Sequence, residues 1–585
     1  MSATRTLSPI TLEVVRSALL AYADEMATGL LRTAYNMIIY EIHDYACALV
    51  DAQGRLMAQN LSGVPIFLAD LGFVVQDGLA TFGPDGFAPG DVILVNHPRV
   101  CGQHLNNMVT YTPLFWEGEL VAFPAARTHW IDVGGLSTGF GASNSRDVYQ
   151  EGLQIRAVKI YEGGRPNEAV LNLIRDNIRF PDSSFGDLRA QIAACRLGER
   201  RLAELLGRYG LDTVRACIER IYADSEALAR RTIARIPDGV YEAESFLDHD
   251  GVRLDRPVPI RVRVTVAGDE MTVDYAGTSP VVEGPMNSGP TGGGITAARV
   301  AYKCVVAPDA PANEGYFQPL RVVIPPGCFL GAEPPAPMGG YSQAFPTIID
   351  TILRALAPAL PEQIPAAHKG AMGPGLTCLG VHPATGERYA CVNSVGGGWG
   401  GGLAGDGDSA GPAIAQGDIQ NAPIEMQEAL YPLRVEYSRL RTDSGGAGER
   451  RGGLGVETVY RALADMTVKT RLARTHCPPW GLAGGRDGQI ATIHLRQPDA
   501  EPESVQVVTA YPLRAGGEAI FQTAGGGGWG DPLARDPALV AADVRDGYVS
   551  AAAARADYGV VVDPASGALD AAATAALRAE RASSA

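Results

Sequence analysis

Around Pro237 the hydrophobic period of the chain switches, and the switch sets the fold class. Before it, GDLRAQIAACRLGERRLAELLGRYG places Leu188, Ile192, Ala193 and Leu197, then Leu202, Leu205 and Leu206, on one stripe, with Arg and Glu opposite. That is the 3.6-residue period of an amphipathic helix. It stops at Gly210, and LDTVRACIERIYADSEALARRTIARI repeats its character. Beyond Pro237, PIRVRVTVAGDEMTVDYAGTS alternates apolar and polar residues, the period of half-buried antiparallel strands. A chain that does both in separate blocks is α+β. With 585 residues it is too long for one hydrophobic core, so a multi-domain architecture is expected.

Four segments are expected. Residues 1–236 read as an N-terminal α/β domain. A helix starts at Pro9 behind Ser8 and carries Leu12, Val15, Leu19, Leu20 and Ala23 on one face. A hairpin, YACALVDAQGRLMAQ, turns at residues 51–54, and GDVILVNHP, MVTYTPLF and GELVAFPAA read as further strands. The helical pair near 186–236 closes this part. Residues 237–380 read as β-rich with one helix, SQAFPTIIDTILRALAPAL, and 381–533 as a glycine-rich β domain. Residues 534–585 form a short C-terminal helical segment, read as two helices.

Composition narrows the function. A net charge of −16 without a basic run argues against a nucleic-acid-binding face. Nine cysteines, scattered singly and without CxxC, indicate neither a zinc ribbon nor a disulfide framework, and fit the reduced thiols of a cytoplasmic protein. The start, MSATRTLSPITLEVV, lacks the pattern of a signal peptide, and no membrane span is expected. Four glycine-rich stretches, SGPTGGGIT, VGGGWGGG, TDSGGAGERRGGLG and AGGGGWGDP, lack the GxxxxGK[ST] order of a phosphate loop. They read as tight turns and close-packed loops, with packing against a partner subunit as the second reading. ATP hydrolysis by this chain alone is not expected.

Chemistry concentrates in the first segment. Four of the nine histidines, His43, His97, His104 and His129, fall within 87 consecutive residues, near Glu41, Asp44 and Asp132. His104 and Asn107 are three apart, as are His129 and Asp132. Such pairs share one side of a helical turn but opposite faces of a strand, so chelation needs a turn at the strand end. Gly102, Gly134 and Gly135 make turns available. Two imidazoles with carboxylate or amide oxygens suit zinc, manganese or iron. The alternative is that these histidines only satisfy buried polar groups, and spacing alone favours that simpler reading. No HExxH or GxSxG is present. Cys101 is a candidate thiol, or an inert buried one, and His476-Cys477 reads as a loop.

Taken together, DYACALVDAQGRLMAQ, GDVILVNHP, GQHLNN, TYTPLF, RTHWIDVGG, EGLQIRAVKIYEGGRPNEAVLNLIRDNIR, PANEGYFQPLRVVIPPG, EYSRLRTDSGGAGERRGGLG, PPWGLAGG and GGGGWGDPLARDP resemble the B subunits of hydantoinases and 5-oxoprolinases. That family includes the α subunits of acetone-type carboxylases. The resemblance runs nearly end to end. It implies a cytoplasmic hetero-oligomer with a hydantoinase A-type ATPase subunit, which uses ATP and Mg²⁺ to phosphorylate the substrate's carbonyl or enolate oxygen. The B-type subunit would hold a divalent metal and complete ring opening of a cyclic amide. A ketone carboxylase subunit and a non-catalytic scaffold are the alternatives. Carried over residue by residue, the resemblance implies metal ligation by Asp44, His104, Asn107, His129 and Asp132. It implies no cofactor-binding residue and leaves the catalytic residues unknown. Three positions depart from the family pattern. Asn107 stands for the acid of HLPD, His97 for the aspartate of NDP, and Trp130 for the second histidine of HH. His97 is a conceivable replacement ligand.

Overall fold

The computed structural model describes residues 7–67, 70–372, 374–394 and 396–584. It is a mixed α+β protein, as expected from the switch of period, and divides into two compact units, each discontinuous in sequence. The first comprises Met1–Ala243, Ile260–Tyr341 and Ala415–Gln420; the second comprises Glu244–Pro259, Ser342–Ile414 and Asn421–Ala585.

The first unit opens with α1 (Pro9–Thr33) and the short α2 (Met37–Tyr40). Then come β1 (Tyr45–Asp51), β2 (Leu56–Gln59), α3 (Asp70–Phe82), β3 (Val92–Val95), α4 (Pro98–Cys101), β4 (Asn107–Tyr111), β5 (Leu114–Trp116), β6 (Glu119–His129), β7 (Val158–Glu162) and β8 (Arg165–Pro166). The helices α5 (Glu168–Asp176), α6 (Pro181–Tyr209) and α7 (Leu211–Ile233) follow. The strands form one sheet in the order β2-β1-β6-β4-β3-β7-β8, with β5 beside β6. The hairpin turn is where the sequence places it: Asp51 Oδ1 accepts from the backbone of Gln53 and Arg55, at 3.0 and 2.8 Å, and Gly54 takes φ 80°. Ser8 is the N-cap of α1 but makes no side-chain cap bond, so Pro9 at the first turn sets the start. The stripe of α6 is buried at Leu188, Ile192, Leu202, Leu205 and Leu206, whereas Ala193 is exposed and Leu197 half-buried, and the helix ends at Gly210.

Side-chain parity assigns the two faces of the sheet. Tyr45, Cys47, Leu49, Ala122 and Ala126 pack with α1, α6 and α7 in one apolar cluster. The residues of opposite parity, Arg127 and His129 included, point to the other face. The most apolar stretch, Pro65–Phe82, has mean hydropathy 1.3. By length and composition alone it could cross a membrane, but half of it is buried inside the protein, as in the core helix of a soluble protein. Asp70, at the start of α3, pairs with Arg127 of the sheet.

Next come β9 (Gly239–Leu247), β10 (Val258–Ala267), β11 (Glu270–Asp274), α8 (Thr296–Val306) and β12 (Leu320–Val323). Their sheet runs β12-β11-β10-β9, and Ile260, Val262, Val264 and Val266 of β10 are buried in the predicted alternation.

In the second unit the predicted helix is α9 (Tyr341–Leu356), and the strands are β13 (Pro374–Val381) and β14 (Arg388–Ser394), then, after α10 (Ile424–Leu430), β15 (Leu433–Leu440), β16 (Val456–Ala462), β17 (Met466–Thr470), β18 (Thr492–Arg496), β19 (Glu503–Val505), β20 (Val508–Leu513) and β21 (Glu518–Gln522). Two sheets, β14-β13-β17-β20 and β15-β16-β21-β18-β19, share a core in which Leu376, Cys378 and Val468 meet Ile493, Leu495 and Phe521. The C-terminal segment holds three helices where the sequence reading had two: α11 (Pro537–Arg545), α12 (Ala551–Tyr558) and α13 (Ala571–Ser584). The extra break falls where Gly547 takes φ 77° and Ser550 caps α12 by accepting from Ala553 N.

The glycine-rich runs of this unit are close-packed. Residues 525–530 donate in turn to the carbonyls of Gln489, Gly453, Ala367, Arg486, Arg450 and Leu482, at 2.8–3.2 Å. Residues 525 and 528 thus bind one neighbouring segment and 526 and 529 another, a period of three without internal hydrogen bonds. That is the habit of a polyproline-II-type helix. A Cβ on Gly525, Gly526, Gly527 or Gly528 would fall 1.8–2.2 Å from the backbone oxygens of Ser444, Trp399, Trp480 and Ala447. These glycines serve close backbone approach, since none of the four takes a left-handed φ. In the first unit, SGPTGGGIT has the same role: Gly289 N donates to Gly102 O, and a Cβ on Gly102 would lie 2.7 Å from Gly292 N.

Candidate metal centre

Three adjacent strands bring three of the predicted residues together. Asn107 of β4 is the register partner of His129 of β6, and Tyr45 of β1 is the partner of Thr128. One step beyond that ladder, His129 N donates to Asp44 O at 3.3 Å. Asp44, His129 and Asn107 therefore stand in a row across β1, β6 and β4, on the face opposite α1 and α6. Their exposures are 8%, 0% and 1%.

His104 reaches this row from the loop between α4 and β4. Asn96 shapes the loop: its amide nitrogen donates to Leu105 O and Leu153 O, and its oxygen accepts from Ile155 N. Asn106 ties it to the end of β6 through Nδ2 to Trp130 O and Trp130 N to its own carbonyl, both at 2.9 Å. The His104 and His129 rings then lie 5.0 Å apart, edge to face. Phe140 stacks on His129 at 3.8 Å, and Phe140 and Tyr341 both meet His104 edge-on, at 5.4 and 5.0 Å. Tyr341 is brought in by Glu151, whose carboxylate accepts from Ser145 Oγ and from the backbone N–H groups of Met338 and Gly339.

Burial pushes the Asp44 carboxyl up to about 7, against the opposing charge of Arg127. Asn107 Nδ2 donates to Gln103 Oε1 at 2.8 Å and to Tyr341 Oη at 3.1 Å. Asn107 Oδ1 is buried without a hydrogen-bond partner. An orphaned acceptor beside two imidazoles and a carboxylate is the donor chemistry of a divalent cation site. Among the described residues, no group of three or more His, Cys, Asp or Glu side chains is already arranged around one point. The fourth donor here is an amide, and His129 rests against Phe140.

Asp132 has another task. Its carboxylate accepts from the backbone and guanidinium of Arg179, which also reaches the carbonyls of Gly134 and Gly135. Burial raises its pKa, and Arg179 opposes that. The pair pins the loop after β6. His97 is the N-cap of α4, where its Nδ1 accepts from Arg99 N at 3.2 Å. Trp130 is a core residue whose Nε1 donates to Gln191 Oε1 of α6. Burial pushes the Cys101 thiol up to about 12, which removes it as a thiolate nucleophile near neutral pH. In the second unit, residues 475–477 do form a loop, their three N–H groups held by the Asp248 carboxylate.

The family model Hydantoinase B/oxoprolinase matches residues 8–532. The chain belongs to this family. It is 33% identical to the B-type component of a putative D-/L-hydantoinase of Pseudomonas sp. (strain NS671), over 95% of each chain. It is 35% identical to the beta chain of the caprolactamase of Pseudomonas jessenii, over 98% of this chain and 99% of the relative. A crystal structure of the ATP-dependent caprolactamase from that organism superposes with a TM-score of 0.91 at 33% identity, covering 98% of this chain and all of the other. A nucleotide-free acetone carboxylase also reaches 0.91, at 22% identity over 99% of this chain and 84% of the other, which shows a shared fold.

For a hydantoinase B/oxoprolinase chain, the residues that the sequence reading missed around the centre are Gln103, Arg127, Asp70, Phe140 and Tyr341. Arg127 and Gln103 lie inside two stretches already quoted, RTHWIDVGG and GQHLNN. Tyr341 had no local signal, being 234 residues from its partner Asn107.

Proposed function

We propose that the chain is the B-type subunit of an ATP-dependent cyclic amide hydrolase, with the ATPase, ATP and Mg²⁺ on a hydantoinase A-type partner. The observation that carries this reading is the meeting of Asp44, His104, Asn107 and His129 on one sheet face, in a family whose named members include hydantoinase and caprolactamase subunits. In this reading those four residues hold a divalent metal, and Asp132 supports them through Arg179. The cation would supply Lewis acidity to a substrate carbonyl or to a water. The protein's part is to hold the donors dry and in place. Phe140 and Tyr341 wall the imidazoles, and Arg127, whose charge opposes the rise in the Asp44 pKa, favours its ionised form.

The test is ATP turnover by the chain mixed with its A-type partner, supplied in turn with a hydantoin, a lactam, or a ketone with bicarbonate. Cyclic amide opening coupled to ATP hydrolysis, lost in His104→Ala, is the expected result. Turnover only with ketone and bicarbonate would make the protein a carboxylase subunit. Full activity of both His104→Ala and His129→Ala would reduce the centre to a scaffold.

A further inference from the structure

We propose that Gln103 is a positioning residue, which makes the site select an amide at position 107 and turns that amide's oxygen inward. The inference rests on the metal reading above and concerns how the ligand set is presented. Gln103, Asp70 and Arg127 are fully buried, at 0% exposure each. Gln103 Oε1 accepts from Arg127 Nη2, from Asn107 Nδ2 and from Tyr341 Oη, and Gln103 Nε2 donates to Asp70 Oδ2 at 3.1 Å. Asp70 is itself ion-paired to Arg127.

The orientation of the Gln103 amide follows from its neighbours. A guanidinium only donates, so the atom facing Arg127 is the oxygen; an ionised carboxylate only accepts, so the atom facing Asp70 is the nitrogen. Position 107 therefore meets an acceptor and must answer with a donor. Asn107 does so with both N–H bonds, one to Gln103 Oε1 and one to Tyr341 Oη, which leaves Oδ1 as the atom without a protein partner. A carboxylate at 107 would set oxygen against oxygen at the 2.8 Å now bridged by a proton. Turning Gln103 over to relieve this would put its NH₂ on the guanidinium and its oxygen on Asp70. Asn107 is thus no weakened acid: the buried layer behind it is built for an amide.

The test measures the affinity of the full chain for Zn²⁺ and for Mn²⁺ by competition with a chromophoric chelator, and thermal stability in EDTA. Gln103→Glu and Gln103→Met both lose the bond to Asp70, so both melt earlier. Only Gln103→Met loses the acceptor that orients Asn107. The expected result is metal affinity within about threefold of wild type for Gln103→Glu and at least about tenfold weaker for Gln103→Met. Equal affinities in the two variants would overturn the proposal. Asn107→Asp is expected to melt several degrees lower in EDTA and to bind no tighter than wild type; tighter binding at unchanged stability would overturn it. If Gln103→Met does not fold, Tyr341→Phe takes its place, with a severalfold loss expected and an unchanged affinity refuting. If wild type binds neither metal, the metal reading falls, and the Asn107→Asp melt in EDTA alone decides whether the layer selects an amide.

Discussion

Asp187→Asn isolates one buried ionisation. Asp187 lies on α6 at 0% exposure, and its Oδ1 accepts from the backbone N–H groups of Tyr35 and Asn36, at 2.7 and 3.1 Å, where the chain leaves α1. Its Oδ2 is buried with no hydrogen-bond partner. Burial pushes the carboxyl up to about 6 from 3.8, against those two N–H bonds. The folded pKa thus lies above the unfolded one. The folded state keeps its proton longer, so stability falls as pH rises from about 4 to about 6 and stays lower above that. A shift of this size corresponds to roughly 3 kcal/mol. Asparagine keeps the acceptor for Tyr35 and Asn36 and removes the charge. The variant should match wild type near pH 4 and gain up to about 3 kcal/mol by pH 7, roughly 5 °C in the melt of a unit this large. Melting curves of both proteins at matched buffers from pH 4 to 7.5 check this. A constant offset across that range would refute the assignment of a raised Asp187 pKa.

Other substitutions test the packing and the ligand set. Gly526→Ala puts a methyl 1.8 Å from Trp399 O and 2.2 Å from Trp399 C, both backbone, and should cost several kcal/mol and strip folded protein from expression; a melt within 2 °C of wild type would contradict the close-packed bundle. Gly29→Ala, inside α1 with its nearest neighbour at 3.7 Å, should stabilise by roughly 0.5–1 kcal/mol, read as a higher melting temperature. Asp132→Asn should cost about 1–3 kcal/mol through the loss of the Arg179 pair yet keep the metal content of wild type, and metal loss would return Asp132 to the ligand set.

Local chemistry made much of this legible from residues alone. The stripe of α6, its stop at Gly210, the Asp51 turn and the alternation of β10 each depend on neighbours in sequence. His104 and His129 were found as a pair because the family resemblance singled them out, not because spacing did. What was hidden depends on distant partners. Asp132 resembles a ligand until Arg179, 47 residues later, takes its carboxylate. Asn107 reads as a defect until Gln103, Arg127 and Tyr341 surround it. The glycine runs have no side-chain period, so their three-fold pattern lives only in backbone bonds to other segments. The break before α12 rests on Gly547 in a left-handed conformation and on the Ser550 cap, inside a stretch that reads as one helix.

The most direct measurement is the metal content of the purified complex, by mass spectrometry, for wild type, Asp44→Asn, His104→Ala and His129→Ala. About one zinc, manganese or iron ion per B-type chain is expected in wild type and near none in the three variants, each still folded by its melt. A wild-type complex that turns over a cyclic amide without stoichiometric metal, or a His104→Ala, His129→Ala double variant that keeps its metal, would contradict this expectation.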